Sequence, residues 1–227
     1  MCSNFKEDLK TADNKVGRFL DEYLYPNMKN VRFTRIYDKQ TQLKGVDVVL
    51  TFKDGSTLKV DEKAATDYAS KNKKDLETFA HEISYKKDGV EKDGWFVKEG
   101  LDTDAYFFNY PTLKDGKDEI KEYQDIKKID SILLYKTNIE NFLKKKNLTK
   151  TKLRRAASKI RNKNWKKGVH SKYLQLNLKD NFDIWFYNTP KIKKTENPIN
   201  LLVKKKDLIE LSRNHYIFTK KSFKKLI

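Results

Sequence analysis

Apolar residues recur along this chain with two periods, and the period changes at definite places. Over residues 5–25, Leu9, Val16, Leu20, Tyr23 and Leu24 fall at helical spacing and Pro26 follows, so a helix is predicted that stops at the proline. Three segments rich in Val, Ile, Phe and Thr come next, at 31–37, 46–52 and 57–64, and each reads as a strand. Residues 74–85 return to helical spacing through Leu76, Phe79, Ala80 and Ile83. Residues 94–98 and 105–110 read as further strands, the second stopped by Pro111. The first half thus has the order αβββαββ.

The second half shows no clear linker. Residues 129–135 read as a strand, and 137–146 and 149–163 as helices. The second of these helices carries Leu153, Ala156, Ala157 and Ile160 as its buried stripe. Residues 173–178, 183–187 and 199–203 are strand-like, and a short helix at 206–211 precedes a basic tail. Strands recur on both sides of the helices, so one mixed sheet is expected to run through the chain. The fold class is α/β in the broad α+β sense, a mixed central β-sheet flanked by helices. One domain is expected over 1–227, with a core at 5–125 and a basic extension at 126–227 packed on the same sheet.

The register of the 46–52 and 57–64 strands can be derived. Val46, Val48, Leu50 and Phe52 form the apolar row of the first, Leu58 and Val60 that of the second. Cross-strand partners share a face, so even positions must pair with even ones. A three-residue loop of Lys53, Asp54 and Gly55 achieves this, with Gly55 in a left-handed conformation. Pair numbers then sum to 108, which sets Asp47 opposite Asp61 and puts Lys63 two residues on, on the same face. A two-residue turn would put the two apolar rows on opposite faces.

Two carboxylates side by side on a sheet repel unless a cation neutralises them. Oxygen ligands of this kind suit Mg²⁺, with Mn²⁺ as the alternative ion. Such an ion stabilises charge on a phosphate and lowers the pKa of a bound water, while Lys63 orients that water or steadies the phosphate. Asp47, Asp61 and Lys63 are therefore the candidate catalytic residues, and Asp47 and Asp61 the candidate metal ligands. Asp13, on the inward stripe of the first helix, is a third candidate ligand; a helix cap near Thr11 or an ion pair with a lysine is the other reading.

Charge changes the picture further. The net charge is +18, but residues 1–140 come to −2 and residues 141–227 to +20. Twelve basic residues and no acidic one lie between Asn141 and His170. Such a field attracts polyanions, so nucleic acid is the expected partner, DNA ahead of RNA. With the apolar stripe of 149–163 turned inward, Lys152, Arg154, Arg155 and Lys159 are expected to be exposed. Arg161, Lys163, Lys166 and Lys167 extend the strip. His81, His170 and His215 show no metal-ligand spacing.

Composition narrows the setting. Cys2 is the single cysteine, which excludes an internal disulfide framework and a cysteine-based zinc site. No stretch approaches the roughly 18 consecutive apolar residues of a membrane span. The first residues lack the apolar run of a signal peptide, and a cytoplasmic, membrane-free protein is expected.

The constellation Asp47, then Val60-Asp61-Glu62-Lys63, resembles the PD-(D/E)XK nuclease superfamily: Asp47 matches the first acid, Asp61 the second and Lys63 the lysine. Val46 stands where the family often has proline. Glu62 stands where an apolar residue is usual, either neutralising a neighbouring lysine or replacing Asp61 as ligand. The resemblance covers residues 5–110 and implies a restriction-endonuclease-like αβββαβ core and Mg²⁺-dependent hydrolysis of DNA phosphodiester bonds. The alternatives are a non-catalytic nucleic-acid-binding protein on an α/β fold, and a factor whose basic face meets an acidic protein.

Overall fold

The structure, a computed structural model, describes residues 15–69, 76–162, 170–171, 184–188 and 196–227. The chain forms two compact units. The first takes in the chain up to Leu76, Asp102–Thr137 and Ile209–Ile227; the second comprises Glu77–Leu101 and Asn138–Leu208. The class is mixed α+β, as the periodicities predict. The strands, however, divide between two sheets and do not form the single continuous sheet expected.

In the first unit, helix α1 spans residues 15–23, and a single 3₁₀ turn, Tyr25–Asn27, ends it at Pro26. Strands β1 (Val31–Arg35), β2 (Val48–Phe52) and β3 (Thr57–Ala64) follow, with a short helix α2 (Lys39–Leu43) between β1 and β2. Later segments add β6 (Ala105–Leu113) and β7 (Ile126–Tyr135), then β11 (Asn214–Phe218) and β12 (Phe223–Lys225). The seven strands lie in the order β1-β2-β3-β6-β7-β11-β12. All neighbours are antiparallel except β3 and β6, which run parallel.

One face of this sheet packs on α1. Val16, Phe19, Leu20 and Leu24 of the helix meet Leu50, Leu58, Val60, Phe107, Leu133 and Phe218 in a buried core. The even-numbered row of β2 and β3 is thus the packed row, and the register sums to 108 from Val48↔Val60 to Thr51↔Thr57. The loop is the three-residue one: Phe52 N–H donates to Ser56 O at 2.9 Å, and Gly55 has φ +83°, where a side chain would be strained.

Pro111 does not end its strand. It pairs with Ile129 inside β6, because the last β3–β6 pair is Ala64↔Asn109 and Pro111 lies past it, where its missing N–H is not needed by β3. The basic tail is not a tail: β11 and β12 form a hairpin that extends the sheet beyond β7.

The second unit holds a five-stranded sheet, β5-β4-β10-β9-β8, formed by β4 (Thr78–Lys87), β5 (Val90–Asp93), β8 (His170–Ser171), β9 (Ile184–Asn188) and β10 (Ile199–Lys204). Helices α3 (Lys136–Lys145), α4 (Lys150–Asn162) and α5 (Lys205–Glu210) complete the described elements. The helix expected at 74–85 is instead strand β4 over its described part. The strand expected at 94–98 is a turn that buries Phe96 and Val97. The strand expected at 173–178 lies outside the described residues.

Beta4 shows why the helical spacing misled. Its buried positions alternate as Phe79, His81 and Ile83, and the alternation is visible only if His81 is counted as a core residue. Burial pushes the His81 imidazole down to about 4, so it is neutral near pH 7. Its Nδ1 lies 3.2 Å from Phe79 O, and its ring meets the Phe96 edge at 4.8 Å. A neutral imidazole in this setting packs as an aromatic.

Candidate active site

Asp47 sits one residue before β2, and Asp61 and Lys63 lie in β3. They are brought together on the sheet face opposite α1. Asp47 departs slightly from the ideal ladder: its N–H donates to Val60 O at 2.9 Å, while Ile36 N–H donates to Asp47 O at 2.9 Å. The Asp47 side chain completes the pairing in place of a backbone carbonyl, since Glu62 N–H donates to Asp47 Oδ2 at 2.8 Å. The approach to Asp47 is pinned by Thr103, whose hydroxyl donates to Gly45 O at 2.7 Å, and by Asp102 N–H, which donates to Lys44 O at 2.8 Å.

Asp61 is 1% exposed. Lys63 Nζ donates to Asp61 Oδ1 at 2.5 Å, whereas Asp61 Oδ2 is buried and receives no hydrogen bond among the described residues. Burial raises the Asp61 carboxyl to about 7; the Lys63 ammonium opposes the rise, and the neighbouring Asp47 carboxylate adds to it. Two acceptors that face each other in a dry setting need a proton or a cation between them. Across the parallel ladder, Asp61 pairs with Tyr106 and Lys63 with Phe108, two buried rings stacked at 5.5 Å that close the inner side of the site.

Glu62 faces the other way, into the α1 side, and its partner is an arginine. Arg35 Nη1 donates to Glu62 Oε2 at 2.6 Å and Nη2 to Glu62 Oε1 at 3.0 Å. The same guanidinium donates to Asp21 at 2.5 and 3.2 Å, and Tyr25 OH donates to Glu62 Oε1. Glu62 therefore neutralises a cation and does not stand in for Asp61, but the cation is Arg35 and not the lysine expected. Arg35 had no signal in the sequence beyond its position in a predicted strand. Only the register, which places Arg35 beside Val48 and Val48 beside Val60, brings it over the packed row.

Among the described residues no three His, Cys, Asp or Glu side chains gather as a metal-binding group. Mg²⁺ keeps several waters and commonly takes only one or two protein carboxylates with the substrate phosphate. The Asp47–Asp61 pair with its orphaned oxygen fits that demand. Asp13 lies outside the described residues.

The candidate polyanion strip changes more. Helix α4 buries Leu153, Ala156, Ala157 and Ile160 as expected. Arg155 and Lys159 are exposed, and Lys152 is half-buried with its Nζ donating to Asn147 Oδ1. Arg154 and Arg161 are less exposed than expected, because both pair with acids of the same unit. Arg154 donates to Asp93 at 2.9 Å, to Glu99 at 3.2 Å and to Val97 O at 2.5 Å. Arg161, its side chain 6% exposed, donates to Ser84 Oγ at 2.8 and 3.0 Å and pairs with Glu91 at 3.2 Å. Seven residues apart, the two arginines lie along one flank of the apolar stripe, beside Ala157, and so turn toward the acids of β5. Lys163, Lys166 and Lys167 lie outside the described residues.

His215, in β11, is also buried on the site face of the sheet, with Nε2 2.7 Å from Asp130 Oδ1. No described helix is long and apolar enough to cross a membrane. No protein-family model matches the chain, and no curated protein or solved structure matches it either.

Proposed function

We propose that this chain is a metal-dependent nuclease that hydrolyses DNA phosphodiester bonds, with Asp47, Asp61 and Lys63 as its working residues. The observation that carries the reading is the Asp61 carboxylate, buried, with one oxygen lacking any donor and another carboxylate as its neighbour. An arrangement with that cost persists where it serves a ligand. Asp47 and Asp61 would hold Mg²⁺, or Mn²⁺ in its place. Bound there, the ion would supply charge stabilisation at the phosphate and a water of lowered pKa.

The protein's own groups have distinct parts. Asp47 is held in orientation by Glu62 N–H, which fixes its carboxylate beside Asp61. Lys63 is partly exposed and neutralises Asp61 from the open side. From there its ammonium donates to a phosphate oxygen as negative charge builds on it. The rings of Tyr106 and Phe108 exclude water from the inner side, which strengthens each of these interactions. On this reading α1, β1, β2, β3 and the parallel β6 supply a restriction-endonuclease-like core, and β4 and β5 stand in the connection where that core would have a helix.

The test uses the purified full chain with supercoiled plasmid and circular single-stranded DNA, in Mg²⁺, Mn²⁺ or EDTA. Cleavage is expected only with metal. Asp47→Asn, Asp61→Asn and Lys63→Met should each lower the rate by roughly a hundredfold or more, the usual loss when one group that stabilises the transition state is removed. Mn²⁺ titration should show one site that Asp61→Asn abolishes. Absence of metal-dependent cleavage on both substrates, or full activity in Lys63→Met, would sink the assignment.

A further inference from the structure

The carboxylate pair stands at one end of an open sheet surface. One row of β1, β2 and β3 packs on α1, so the alternate row shares the face of Asp47 and Asp61. That row holds Arg32, Thr34, Thr57 and Lys59, all exposed, with Val49 and Thr51 half-buried between them. The ladders fix their order. Lys59 pairs with Val49 and Val49 with Thr34, one step from the carboxylates; Thr57 pairs with Thr51 and Thr51 with Arg32, one step further. A step is two residues along a strand, or about 7 Å. Lys59 thus follows the carboxylate pair at about 7 Å, and Arg32 lies about 14 Å along the strands from Asp47. The exposed Lys53, on the loop of the hairpin, stands at the far end.

The sheet alone does not account for these cations. Lys59 faces Val49 and Arg32 faces Thr51, so neither has the opposite charge that stabilises a cross-strand pair. Neither they nor Lys53 form an ion pair among the described residues. A charge on an edge strand keeps other sheets away, which would serve for Arg32 on β1. Lys59 is on β3, which lies between β2 and β6 and has no edge to guard. The acids nearby are engaged. Asp104, beside Lys59, accepts from the Lys59 backbone N–H at 2.9 Å. Asp54 accepts from the Ser56 N–H and hydroxyl at 2.9 and 2.6 Å, and Asp102 lies 3.8 Å from Lys44.

We infer that a nucleic-acid backbone lies along this face, from the carboxylate pair toward the 53–55 loop, with Lys59 on the phosphate next to the one at Asp47 and Asp61 and Arg32 on a phosphate beyond it. The inference rests on the nuclease reading for the phosphate at the carboxylates and on the cations of the sheet for the rest of the path. One step of the strand is close to the separation of successive phosphates, so Lys59 is placed for the neighbouring one. The hydroxyls of Thr34, Thr51 and Thr57 can donate to phosphate or sugar oxygens along the way. Contacts of this kind set the position of the backbone and carry no base preference. An acidic protein laid on the same face would bring its carboxylates against Asp47 and Asp61, whereas a phosphodiester can share the cation that those two would hold.

Binding is measured in EDTA, where no cleavage occurs. Fluorescence anisotropy of the full chain uses a labelled DNA duplex, one strand of it alone, and an RNA strand of the same length, at four salt concentrations. For the probe bound most tightly, Lys59→Gln should flatten the log–log salt slope by roughly 0.7–0.9 units, and Arg32→Gln/Lys59→Gln by about twice that. Lys225→Gln removes the same charge from β12, at the opposite edge and on the α1 side of the sheet, where Lys225 pairs with Tyr216; it should leave the slope unchanged. All three side chains are exposed, and a thermal midpoint equal to that of wild type confirms folding. Acetylation of wild-type lysines with and without the probe, read by peptide mass spectrometry, locates the contact without a variant. Lys53 and Lys59 should lose most of their reactivity when the probe is bound, and Lys225 none.

Equal flattening by Lys225→Gln and Lys59→Gln would mean that net charge alone is read, and overturns the inference. So does an unchanged slope in the double variant, an unprotected Lys59, or binding to none of the three probes. The probes separate duplex from single strand and DNA from RNA as the source of the backbone. The nuclease reading fails separately: binding that depends on Lys59, without metal-dependent cleavage, removes that reading and leaves this face as a nucleic-acid surface. Metal-dependent cleavage by a chain whose binding ignores Lys59 and Arg32 does the reverse.

Discussion

Replacing Asp61 by asparagine should stabilise the metal-free protein at alkaline pH. The folded chain raises the Asp61 carboxyl from 3.8 to about 7, chiefly by burial. Between those values the folded state holds a proton that the unfolded state has lost, so the folded state binds more protons and stability falls as pH rises. This group's contribution is whole below pH 3.8, declines across pH 4–7, and is gone above about pH 7. A difference of roughly 3 units at about 1.4 kcal/mol each makes the ionised Asp61 a liability of about 4 kcal/mol at pH 8. Asparagine keeps the shape and removes the titration. Lys63 loses its ion pair with Asp61, but it is partly exposed, so the loss offsets only about 1 kcal/mol. A net gain of about 2–3 kcal/mol is therefore expected at pH 8, or roughly 5–10 °C in Tm for a chain of this size, with little or no gain at pH 4. Urea titrations of wild type and Asp61→Asn in EDTA at pH 4, 6 and 8 measure it. A millimolar excess of Mg²⁺ at pH 8 should then close the gap by stabilising wild type alone. If the two proteins lose stability in parallel from pH 4 to 8, the buried carboxylate carries no such cost and the reasoning is wrong.

Other substitutions probe the frame around the site. Arg35→Met leaves Glu62 and Asp21 without their cation and should cost about 3–5 kcal/mol in a urea titration, as loss of one partner from a buried ion pair does. Arg161→Met leaves the exposed Glu91 in water but removes the hydrogen bonds to Ser84 and Asn197 O, and should cost about 1–2 kcal/mol, whereas Arg155→Ala and Lys159→Ala should each stay within about 0.5 kcal/mol. If nucleic acid meets α4, the double variant Arg155→Ala/Lys159→Ala should flatten the log–log salt dependence of binding by about two units, read by anisotropy at four salt concentrations. Gly94→Ala places a Cβ 2.3 Å from the Glu82 backbone oxygen and should be among the most damaging single changes in the second unit, seen as a large drop in Tm or as insoluble protein.

What could be read from the sequence depended on whether two signals agreed. In the hairpin of β2 and β3 they did: two apolar rows and a glycine-bearing loop admit one register, and Gly55 and the 108 rule both hold in the structure. The neighbouring segment shows the opposite case. Leu76, Phe79, Ala80 and Ile83 satisfy a helical template only because His81 and Ser84 are scored as polar, and both are buried in β4. A period inferred from apolar residues alone fails wherever a neutral histidine or a bonded serine takes a core place. Ser84 earns its place by accepting from Arg161, a residue 77 positions away, so no window around β4 contains the reason for its burial. The hairpin of β11 and β12 was hidden similarly. Its lysines look like a solvated tail, yet Tyr216, Phe218 and Phe223 pack on the α1 core between them.

The same nonlocality governs charge. The split into −2 and +20 along the chain suggests one neutral half and one cationic half. Within the second unit the acids that neutralise the helix come from the earlier segment: Glu91, Asp93 and Glu99 meet Arg154 and Arg161, and Lys150 lies 3.8 Å from Glu99 and 3.0 Å from Glu140. Part of the asymmetry is thus mutual pairing, written as opposite signs far apart in sequence and cancelled in space. Among the described residues, exposed positive charge is carried by Lys144, Lys145, Arg155 and Lys159 and by Lys220, Lys221, Lys224 and Lys225 in a stretch, 211–227, that has no acid at all. The second of these groups belongs to the same unit as Asp47 and Asp61. Lysines on an edge strand also discourage pairing with other sheets, so their presence on β12 follows from the fold whether or not a polyanion binds. The two carboxylates are less easily explained by the fold: Asp47 accepts from Glu62 N–H and Asp61 from Lys63, but Asp61 Oδ2 is buried beside Asp47 with no donor among the described residues, and the pH dependence of stability in Asp61→Asn measures what that arrangement costs.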